Sequence, residues 1–416
     1  MDPQAKLTQP SRRMFWILLG IISLLGIIFR IQGITQQPPI FDEVLAAVGA
    51  ENYVEHGLFG PIMVDHPQWR SLALKSTMRL FGTGAFGIRG SSLLLGCLSV
   101  PLLAMLVLRL TGNRLAALLT AFFIALDPVH TTFSRQAIQE VHTTFFFLAG
   151  ILLFFEGLRR MESSAVAVLW PLAGITFGLG LSSKAHALFP LAVCGLLAVW
   201  KAVAEHRSTS LTALAVTSFV LLPLSVYLVT FLPWFGRGYG IGDWLFMQSS
   251  LFTSMVTHTG NPMDSMVDTT AALWFIKPFM GYGSFVESGG TPMVTIAMGN
   301  PLVWLLVLPA AIHTLVRRRE DAGAMTLLAF FLASYLPLAL TTRPVWVLSS
   351  LAVTPFAFGL VALAACDVVR SGRQKIGLGL FLASVLVVSL LMYPMSVGKG
   401  WHHGYLRPLV VKFIPH

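Results

Sequence analysis

Charged side chains are scarce in this chain. Asp, Glu, Lys and Arg make up 11% of its 416 residues, and the acidic ones number only 18, whereas soluble domains average about 25% charged residues. With a mean hydropathy of +0.75, this composition excludes an ordinary soluble domain. Cysteine is scarcer still, and Cys97, Cys194 and Cys366 all lie in apolar runs. The sequence therefore predicts no external disulfide and no Cys-x-x-Cys metal site.

Several catalytic signatures are missing as well. The chain has no HExxH zinc motif, no Walker A phosphate loop and no GxSxG nucleophile motif, which argues against zinc peptidases, P-loop nucleotide hydrolases and serine hydrolases. No stretch shows the alternating pattern of about ten residues that marks the strands of a membrane barrel. These absences leave a helical membrane protein as the expected class.

Long apolar runs dominate what is present. Runs of about 17 to 25 residues have the length needed to cross a bilayer as a helix. Eleven predicted spans lie near residues 14–32, 90–108, 115–132, 139–157, 165–182, 184–200, 211–232, 298–316, 324–341, 345–366 and 376–396. The sequence therefore predicts an all-α polytopic membrane protein with about eleven transmembrane helices and a long first external loop.

Lys and Arg residues predict the orientation. With the N-terminus in the cytoplasm, every predicted cytoplasmic segment carries Lys or Arg, as the positive-inside rule requires. The net charge of +10 is then a topology signal, and no nucleic-acid partner is expected. No small-x-small cleavage motif follows the first span, so we expect a retained signal anchor in the plasma (inner) membrane.

The predicted organisation has three parts. Residues 1–232 form an N-terminal transmembrane catalytic module, 233–297 an external loop, and 298–416 a C-terminal four-helix module with a tail. In the first external loop, 42–54 and 69–81 are amphipathic and predict helices at the membrane interface. The length of the second loop is typical of a functional loop or a lid.

The adjacent carboxylates of Asp42 and Glu43 are the leading catalytic candidates. They follow the first span by about ten residues, at the edge of the bilayer. Carboxylates at that depth are costly unless they are solvated, paired or used in chemistry. A membrane enzyme that needs a general base just outside the lipid would place one here.

Single cations lie in three short outer turns, against the topology bias. Arg135, Lys184 and Arg343 each lie between two predicted spans. Each alone is explained equally well by a side chain that extends to the lipid headgroups. If the three converge, they form an anion site suited to the phosphate of a lipid.

The neighbours Asp65 and His66 in the first external loop, and Glu140 after Arg135, complete the set of candidates. An Asp-His dipeptide can bind a hydroxylated ligand or a metal. It is more often part of a structural hydrogen-bond network. The sequence leaves both interpretations open.

In this order the motifs resemble the protein O-mannosyltransferases, which belong to the C-type, polyprenyl-phosphate-sugar-dependent glycosyltransferases. The resemblance covers about residues 14–400. The motifs that carry it are Phe41-Asp42-Glu43, Val64-Asp65-His66-Pro67, Ser134-Arg135 with Glu140, Gly180-Leu181-Ser182-Ser183-Lys184, Pro233-Trp234-Phe235, Gly299-Asn300-Pro301 and Arg343-Pro344. Departures from the family pattern, such as Gln68 after His66-Pro67, leave the sugar and the acceptor open.

The resemblance implies a C-type glycosyltransferase fold and a role for each candidate. Asp42 and Glu43 would be the catalytic pair, one of them the base toward an acceptor hydroxyl. Arg135, Lys184 and Arg343 would bind the phosphate of the donor. Asp65, His66 and Glu140 would shape the substrate site. The expected reaction moves mannose or a similar hexose from a polyprenyl-phosphate carrier, the co-substrate, to a protein, lipid or glycan acceptor on the extracytoplasmic face, with inversion. No metal is required, although carboxylates beside a phosphate can recruit a divalent cation.

A transporter or flippase without covalent chemistry is the alternative. Such proteins place charges in the middle of spans, beside broken helices or in repeated halves. Here the notable charges lie at the outer ends of the spans, which favours the enzyme. Convergence of the charges on one outer cavity would support the transferase, and a charged path through the bundle would support the transporter.

Overall fold

The computed structural model describes most of the chain. The described residues are 9–37, 41–58, 68–204, 209–257, 270–278, 281–288, 291–341, 345–369 and 371–410. In chain order the helices are α1 (Arg12–Ile31), α2 (Phe41–His56), α3 (Trp69–Phe81), α4 (Ala85–Thr111), α5 (Arg114–Leu126), α6 (Pro128–Ser134), α7 (Gln139–Leu158), α8 (Val166–Leu181), α9 (Leu188–Ala204), α10 (Thr209–Val216), α11 (Leu222–Val229), α12 (Leu232–Phe235), α13 (Ile241–Thr257), α14 (Pro301–Trp304), α15 (Val307–Arg317), α16 (Ala322–Ala339), α17 (Thr354–Val368), α18 (Gly372–Ser396) and α19 (Arg407–Val410).

The predicted helical membrane fold is confirmed. Seven described helical segments are long and apolar enough to cross a membrane: α1, α4, α7, α16, α18, Ala185–Ala204 and Thr209–Val229. The bent pair α5–α6 makes an eighth, and the shorter apolar segments α8, Pro301–Arg317 and α17 coincide with the remaining predicted spans. Helix therefore occupies every predicted span, while the number of crossings, eleven, stays a prediction.

Local capping explains where several of these helices begin. The Asn113 side chain accepts a hydrogen bond from the backbone of Ala116 at the start of α5. Asp321 does the same for α16, and Ser371 forms a capping box with Gln374 at the start of α18. These side chains satisfy backbone N–H groups that have no partner inside the helix. The turns between spans are therefore encoded locally.

The bent pair α5–α6 turns at Asp127. Its backbone is extended, at φ −64° and ψ 122°, and its side chain accepts a hydrogen bond from the backbone N–H of His130. Pro128 fills the first position of α6, where no N–H is needed. The two helices meet at 60°. This bend places α6 and the turn after it at the end of the bundle that carries α2 and α3.

Both helices predicted in the first long loop are confirmed, as α2 and α3. Small residues of α2, among them Ala46 and Ala50, pack against Leu74 and Met78 of α3. Because Ala has so short a side chain, the two helices approach closely. Ala137, in the turn after α6, joins the same cluster. This packing holds α2 above the turn that precedes α7.

A β-hairpin is added to the helical fold. β1 (Gly281–Ser288) pairs with β2 (Thr291–Met298) in antiparallel register, from Gly281↔Met298 to Ser288↔Thr291. Val294, Ile296 and Met298 alternate along β2 and pack against residues of α18 and the segment after it. Thr295 and Ala297, which point to the other face of the strand, are buried as well, so this part of β2 is covered on both faces. Together with α12, α13 and a short 3-10 turn, the hairpin shows that the predicted loop 233–297 contains regular structure.

Candidate active site

Glu43 lies in the first turn of α2 and is completely buried. Both of its oxygens accept hydrogen bonds from Arg89 of α4, with Nε–Oε1 and Nη2–Oε2 distances of 2.7 Å each. The backbone N–H of Ala137 also donates to Oε1, at 3.1 Å. A bidentate arginine–carboxylate pair of this kind is among the strongest side-chain contacts. Glu43 therefore fixes the start of α2 to α4 and to the turn before α7.

Asp42 precedes Glu43 in the same helical turn. Its backbone belongs to α2, and its side chain lies outside the described part of the structure. The structure therefore places the Asp42 backbone directly before Glu43, at the start of the helix that Arg89 holds.

Arg89 also joins this helix to the segment after α1. Its Nη1 donates to the backbone carbonyls of Ile34 at 2.8 Å and Gln37 at 3.0 Å. The side chain is almost completely buried. A single arginine thus holds together α4, the start of α2 and the chain that leads into it.

Arg135 is buried rather than exposed at the headgroups. Its Nη1 donates to the carbonyls of Phe29, Arg30 and Gln32 at the end of α1, at 3.3, 2.7 and 2.8 Å. A cation at a helix C-terminus satisfies carbonyls that have no partner inside the helix. Nε and Nη2 are buried and have no hydrogen-bond partner among the described residues. Burial lowers the pKa of the Arg135 guanidinium to about 10, with a further contribution from the neighbouring Arg89.

Arg30 is a third buried arginine at this end of the bundle. It donates from Nη1 to the carbonyls of Gly26 and Ala125, and from Nη2 to the carbonyl of Ile124, at 3.0 to 3.1 Å. Its Nη2 also lies 3.1 Å from Nδ1 of His130. Its Nε has no partner within the described residues. Arg30 and Arg135 thus leave guanidinium N–H groups unsatisfied in the same region.

Lys184 and Glu140 are brought together as an ion pair. The Lys184 ammonium, in the turn between α8 and α9, contacts the Glu140 carboxylate in the first turn of α7. Their side chains are 14% and 4% exposed. The backbone N–H of Trp69 donates to the carbonyl of Ser182 at 2.8 Å, which brings the start of α3 beside this pair. Both candidates therefore lie at the same end of the bundle as α2.

A family model for the dolichyl-phosphate-mannose-protein mannosyltransferases matches residues 20–237, slightly more than half of the chain. The chain belongs to this family. It is a polytopic membrane glycosyltransferase that depends on a polyprenyl-phosphate sugar, which favours the transferase over the transporter alternative.

Curated relatives support the assignment over nearly the whole length. The chain is 23% identical to the polyprenol-phosphate-mannose–protein mannosyltransferase of Mycobacterium tuberculosis, over 92% of this chain and 88% of the relative. It is 24% identical to that of Mycolicibacterium smegmatis, over 93% and 90%. The dolichyl-phosphate-mannose–protein mannosyltransferase 1 of Saccharomyces cerevisiae is 26% identical over 61% of this chain and 34% of its own length.

Solved structures show the same fold. The S. cerevisiae protein O-mannosyltransferase Pmt1–Pmt2 complex bound to the sugar donor superposes with a TM-score of 0.77 at 13% identity, over 95% of this chain and 91% of that chain. ArnT from Cupriavidus metallidurans bound to undecaprenyl phosphate superposes at 0.58 with 16% identity, over 97% and 75%. The architecture is therefore that of the C-type membrane glycosyltransferases.

Three of the predicted site residues fall outside the described part of this family member. Asp65 and His66 lie in 59–67, and Arg343 lies in 342–344. The convergence of Arg343 with Arg135 and Lys184, and the substrate-site roles of Asp65 and His66, stay predictions. Within the described ranges, no group of three or more His, Cys, Asp or Glu side chains is arranged to hold a metal ion.

Sequence reasoning missed Arg30, Arg89 and Asp127. Asp127 accepts from Nε1 of Trp304 at 2.8 Å and from the His130 backbone at 2.9 Å, and this links the bend to the C-terminal module. The available signal was a charged residue inside a predicted span, as for Arg30 and Asp127, or directly before one, as for Arg89.

The C-terminal module also contacts the segment that leads to α2. The Gln37 amide donates to Oγ1 of Thr295 in β2 at 3.0 Å. The Tyr393 hydroxyl of α18 donates at 2.9 Å to the Gln32 carbonyl, which also accepts from Arg135. Sequence pattern offered no signal for these contacts, because they join residues more than 250 positions apart.

Proposed function

We propose that this family member transfers mannose from polyprenyl phosphate to a hydroxyl group of a protein acceptor, on the extracytoplasmic face of the plasma membrane. The sugar and the acceptor are those named for the mycobacterial relatives. The Lys and Arg distribution supports an N-terminus in the cytoplasm, which puts α2 on the opposite side. The bilayer then holds the prenyl chain, and the donor reaches the site by lateral diffusion.

The buried arginines carry the proposal for the donor. Arg30 and Arg135 present three guanidinium nitrogens, Arg30 Nε and Arg135 Nε and Nη2, that have no described partner. Leaving buried donors of a charged group unpaired is costly. A lipid phosphate entering beside them would supply the missing acceptors and would be stabilised as a leaving group. Arg135 is therefore proposed as a donor-phosphate residue, with Arg30 and Arg89 beside it.

Asp42 is our proposed general base. Both oxygens of Glu43 are occupied by Arg89, and one of them also by the Ala137 N–H. A carboxylate held on both oxygens by one arginine is suited to fixing a helix in place. Asp42 directly precedes Glu43 at the start of the same helix, and we propose that its carboxylate accepts the proton of the acceptor hydroxyl. Glu43 would then be a positioning residue that fixes the helix carrying the base.

The reaction follows as one displacement at the anomeric carbon. The acceptor hydroxyl attacks while its proton passes to the Asp42 carboxylate. The bond to the lipid phosphate breaks, and the phosphate leaves with its negative charge held by the arginines. A single displacement inverts the anomeric configuration. Lys184, bound to Glu140, is proposed to add positive charge at the edge of the donor site, and Asp65, His66 and Arg343 stay proposed contributors.

A transfer assay with the purified protein in nanodiscs tests the proposal. Radiolabelled polyprenyl-phosphate mannose is offered with peptides that contain Ser or Thr, and the matched glucose donor serves as the sugar control. Asp42→Asn should lower transfer by about 10²- to 10⁴-fold, the usual contribution of a general base, while polyprenyl-phosphate binding is retained. Asp243→Asn, a similar change on α13, should retain wild-type transfer.

Two outcomes would contradict the proposal. Wild-type turnover by Asp42→Asn would remove the base assignment. Transfer only to a lipid or glycan acceptor, or only from the glucose donor, would leave the enzyme class intact but refute the proposed acceptor or sugar.

A further inference from the structure

Helix α13 is fixed along the end of the span that precedes it. Trp244, Met247 and Leu251 form its packed side and are only 7 to 9% exposed. The Trp244 ring lies with its centroid 6.2 Å from those of Tyr227 and Phe231. The helix is therefore held in one orientation by three residues spaced three and four apart.

A second apolar side of α13 is not packed. Ile241, Leu245 and Phe252 are 59, 57 and 70% exposed, and on a regular helix they lie within about 40° of each other. We call these three residues the apolar strip. Ser250 is on the far side of the helix, and Phe246 lies roughly 100° away from the strip. Exposed apolar patches of this kind mark contact with a membrane or another protein.

The rest of the exposed surface of α13 carries Phe246, which is 76% exposed, together with polar residues and little charge. Ser250 and Thr253 donate their hydroxyl groups to carbonyls one turn earlier, at 3.1 and 2.9 Å. Asp243 is the only ionisable residue of the helix, and it accepts from the backbone N–H of Gly240 at 2.7 Å. Hydroxyl groups satisfied in this way are inexpensive to place near lipid.

The position of α13 in the chain identifies what covers the strip. Leu224, Val229 and Leu232, along and just after the preceding span, are 48, 57 and 60% exposed, as residues facing lipid are. α11 ends at Val229 and α13 begins twelve residues later at Ile241. Because Trp244 packs on the end of that span, the start of α13 lies at the membrane boundary. The strip thus lies beside the end of a span whose own exposed apolar residues face lipid.

We propose that α13 is an interfacial helix whose apolar strip enters the bilayer at the boundary between headgroups and acyl chains. Interfacial helices commonly add basic residues that attract anionic lipid, but α13 has none. Its insertion therefore rests on apolar burial and is insensitive to salt and to lipid charge. This inference does not depend on the identity of the sugar or the acceptor.

The inserted helix would also set the depth of α2. The Tyr53 hydroxyl of α2 donates to the carbonyl of Thr230 at 2.6 Å, and Tyr53 packs in the same cluster as Trp244. Gly57, just after α2, has φ +61°, and a Cβ there would lie 2.3 Å from the carbonyl oxygen of Pro233. α2 is thus joined to the base of α13 by contacts that leave little room for movement.

Depth measurement by site-directed spin labelling tests the proposal. Cysteine is introduced in place of Leu245 or Phe252 on the strip, and in place of Ser250 as the matched control on the opposite side. The background replaces Cys97, Cys194 and Cys366 by alanine. If that background does not fold, the native cysteines are kept and the signal of the labelled wild type is subtracted. Each protein is placed in nanodiscs holding one copy and no polyprenyl phosphate. Accessibility to oxygen and to a water-soluble nickel complex is then compared.

The expected result is high oxygen and low nickel accessibility at positions 245 and 252, and the reverse at 250. The pattern should be the same in neutral and anionic lipid, and at low and high salt. Equal nickel accessibility at all three positions would overturn the proposal. Protection that appears only after polyprenyl phosphate is added, or only with two copies in a nanodisc, would assign the strip to the donor tail or to a second copy and would overturn it as well.

Discussion

The Glu43–Arg89 pair makes a quantitative prediction about how α2 is held. Both side chains are buried, at 0% and 2% exposure, so solvent screening does not weaken the pair. Removing one partner of a buried pair costs about 3–5 kcal/mol. Glu43→Gln keeps one oxygen as an acceptor, so we expect a value at the lower end, about 3 kcal/mol.

This cost should appear as local opening of α2 rather than as global unfolding. About 3 kcal/mol corresponds to roughly a hundredfold change in an equilibrium constant. The Ala137 N–H, which donates to Glu43 Oε1 at 3.1 Å, is a direct reporter of that opening. Its hydrogen exchange should accelerate by about a hundredfold in Glu43→Gln, provided that exchange follows the opening equilibrium.

The assay is hydrogen exchange in nanodiscs, resolved to the peptide that contains Ala137. Glu51→Gln is the matched control, since Glu51 is half exposed and pairs with Lys75; it should leave Ala137 unchanged. A double replacement of Glu43 and Arg89 by apolar residues should cost less than the sum of the two single ones. Unchanged exchange at Ala137, or strict additivity, would refute the argument that this pair holds α2 in place.

Three further predictions concern neighbouring parts of the structure. Arg135→Lys should weaken binding of polyprenyl phosphate by about ten- to a hundredfold, because hydrogen bonds to a charged group contribute about 1.5–3 kcal/mol. Isothermal titration calorimetry with the lipid phosphate measures this affinity. An unchanged affinity would contradict the proposed role of Arg135 in the donor site. Gly57→Ala should lower the thermal midpoint of unfolding more than Gly238→Ala. Both glycines have a positive φ, but only a Cβ at position 57 would come close to a backbone atom, the carbonyl oxygen of Pro233 at 2.3 Å. Equal decreases in the midpoint would mean that the close contact at position 57 is relieved without cost. The pKa of Lys75 is raised by its hydrogen bond to Glu55, and that of Glu55 is lowered by Lys75. Their contact should therefore stabilise α3 against α2 fully between the ordinary values of 4.5 and 10.5. The stabilisation should be lost below that range as Glu55 is protonated, and above it as Lys75 is deprotonated. The protection of α3 against hydrogen exchange, measured as a function of pH, should therefore be constant within the range and fall on either side of it. A change in this protection near pH 7 would contradict the prediction.

Several features of the site could be predicted because their signals are local. The carboxylate pair is visible as two adjacent acidic residues in a chain with few others. Lys184 and Glu140 were both candidates, and the structure pairs them. The environment of a group has no such local signal: the sequence does not show that Arg135 is buried and binds three carbonyls at the end of α1, and its role at the donor phosphate stays a prediction. Whether such an arginine is exposed or buried depends on the elements packed around it, and the sequence of one short turn does not show these.

Apolar length, periodicity and caps act over a few turns of chain, so the sequence alone predicts the membrane class, the location of the helices and the two helices of the first long loop. That Arg89 binds Glu43 is visible only in the folded structure. Glu43 is 46 residues from Arg89 and 94 from Ala137, and the bend at Asp127 brings the latter within reach. The tertiary structure also decided that 291–298 is a strand, because Val294 and Ile296 are buried by α18 and the segment after it, nearly 100 residues away. Such contacts depend on which spans pack side by side, and the spacing of residues along one span does not show which span lies next to it.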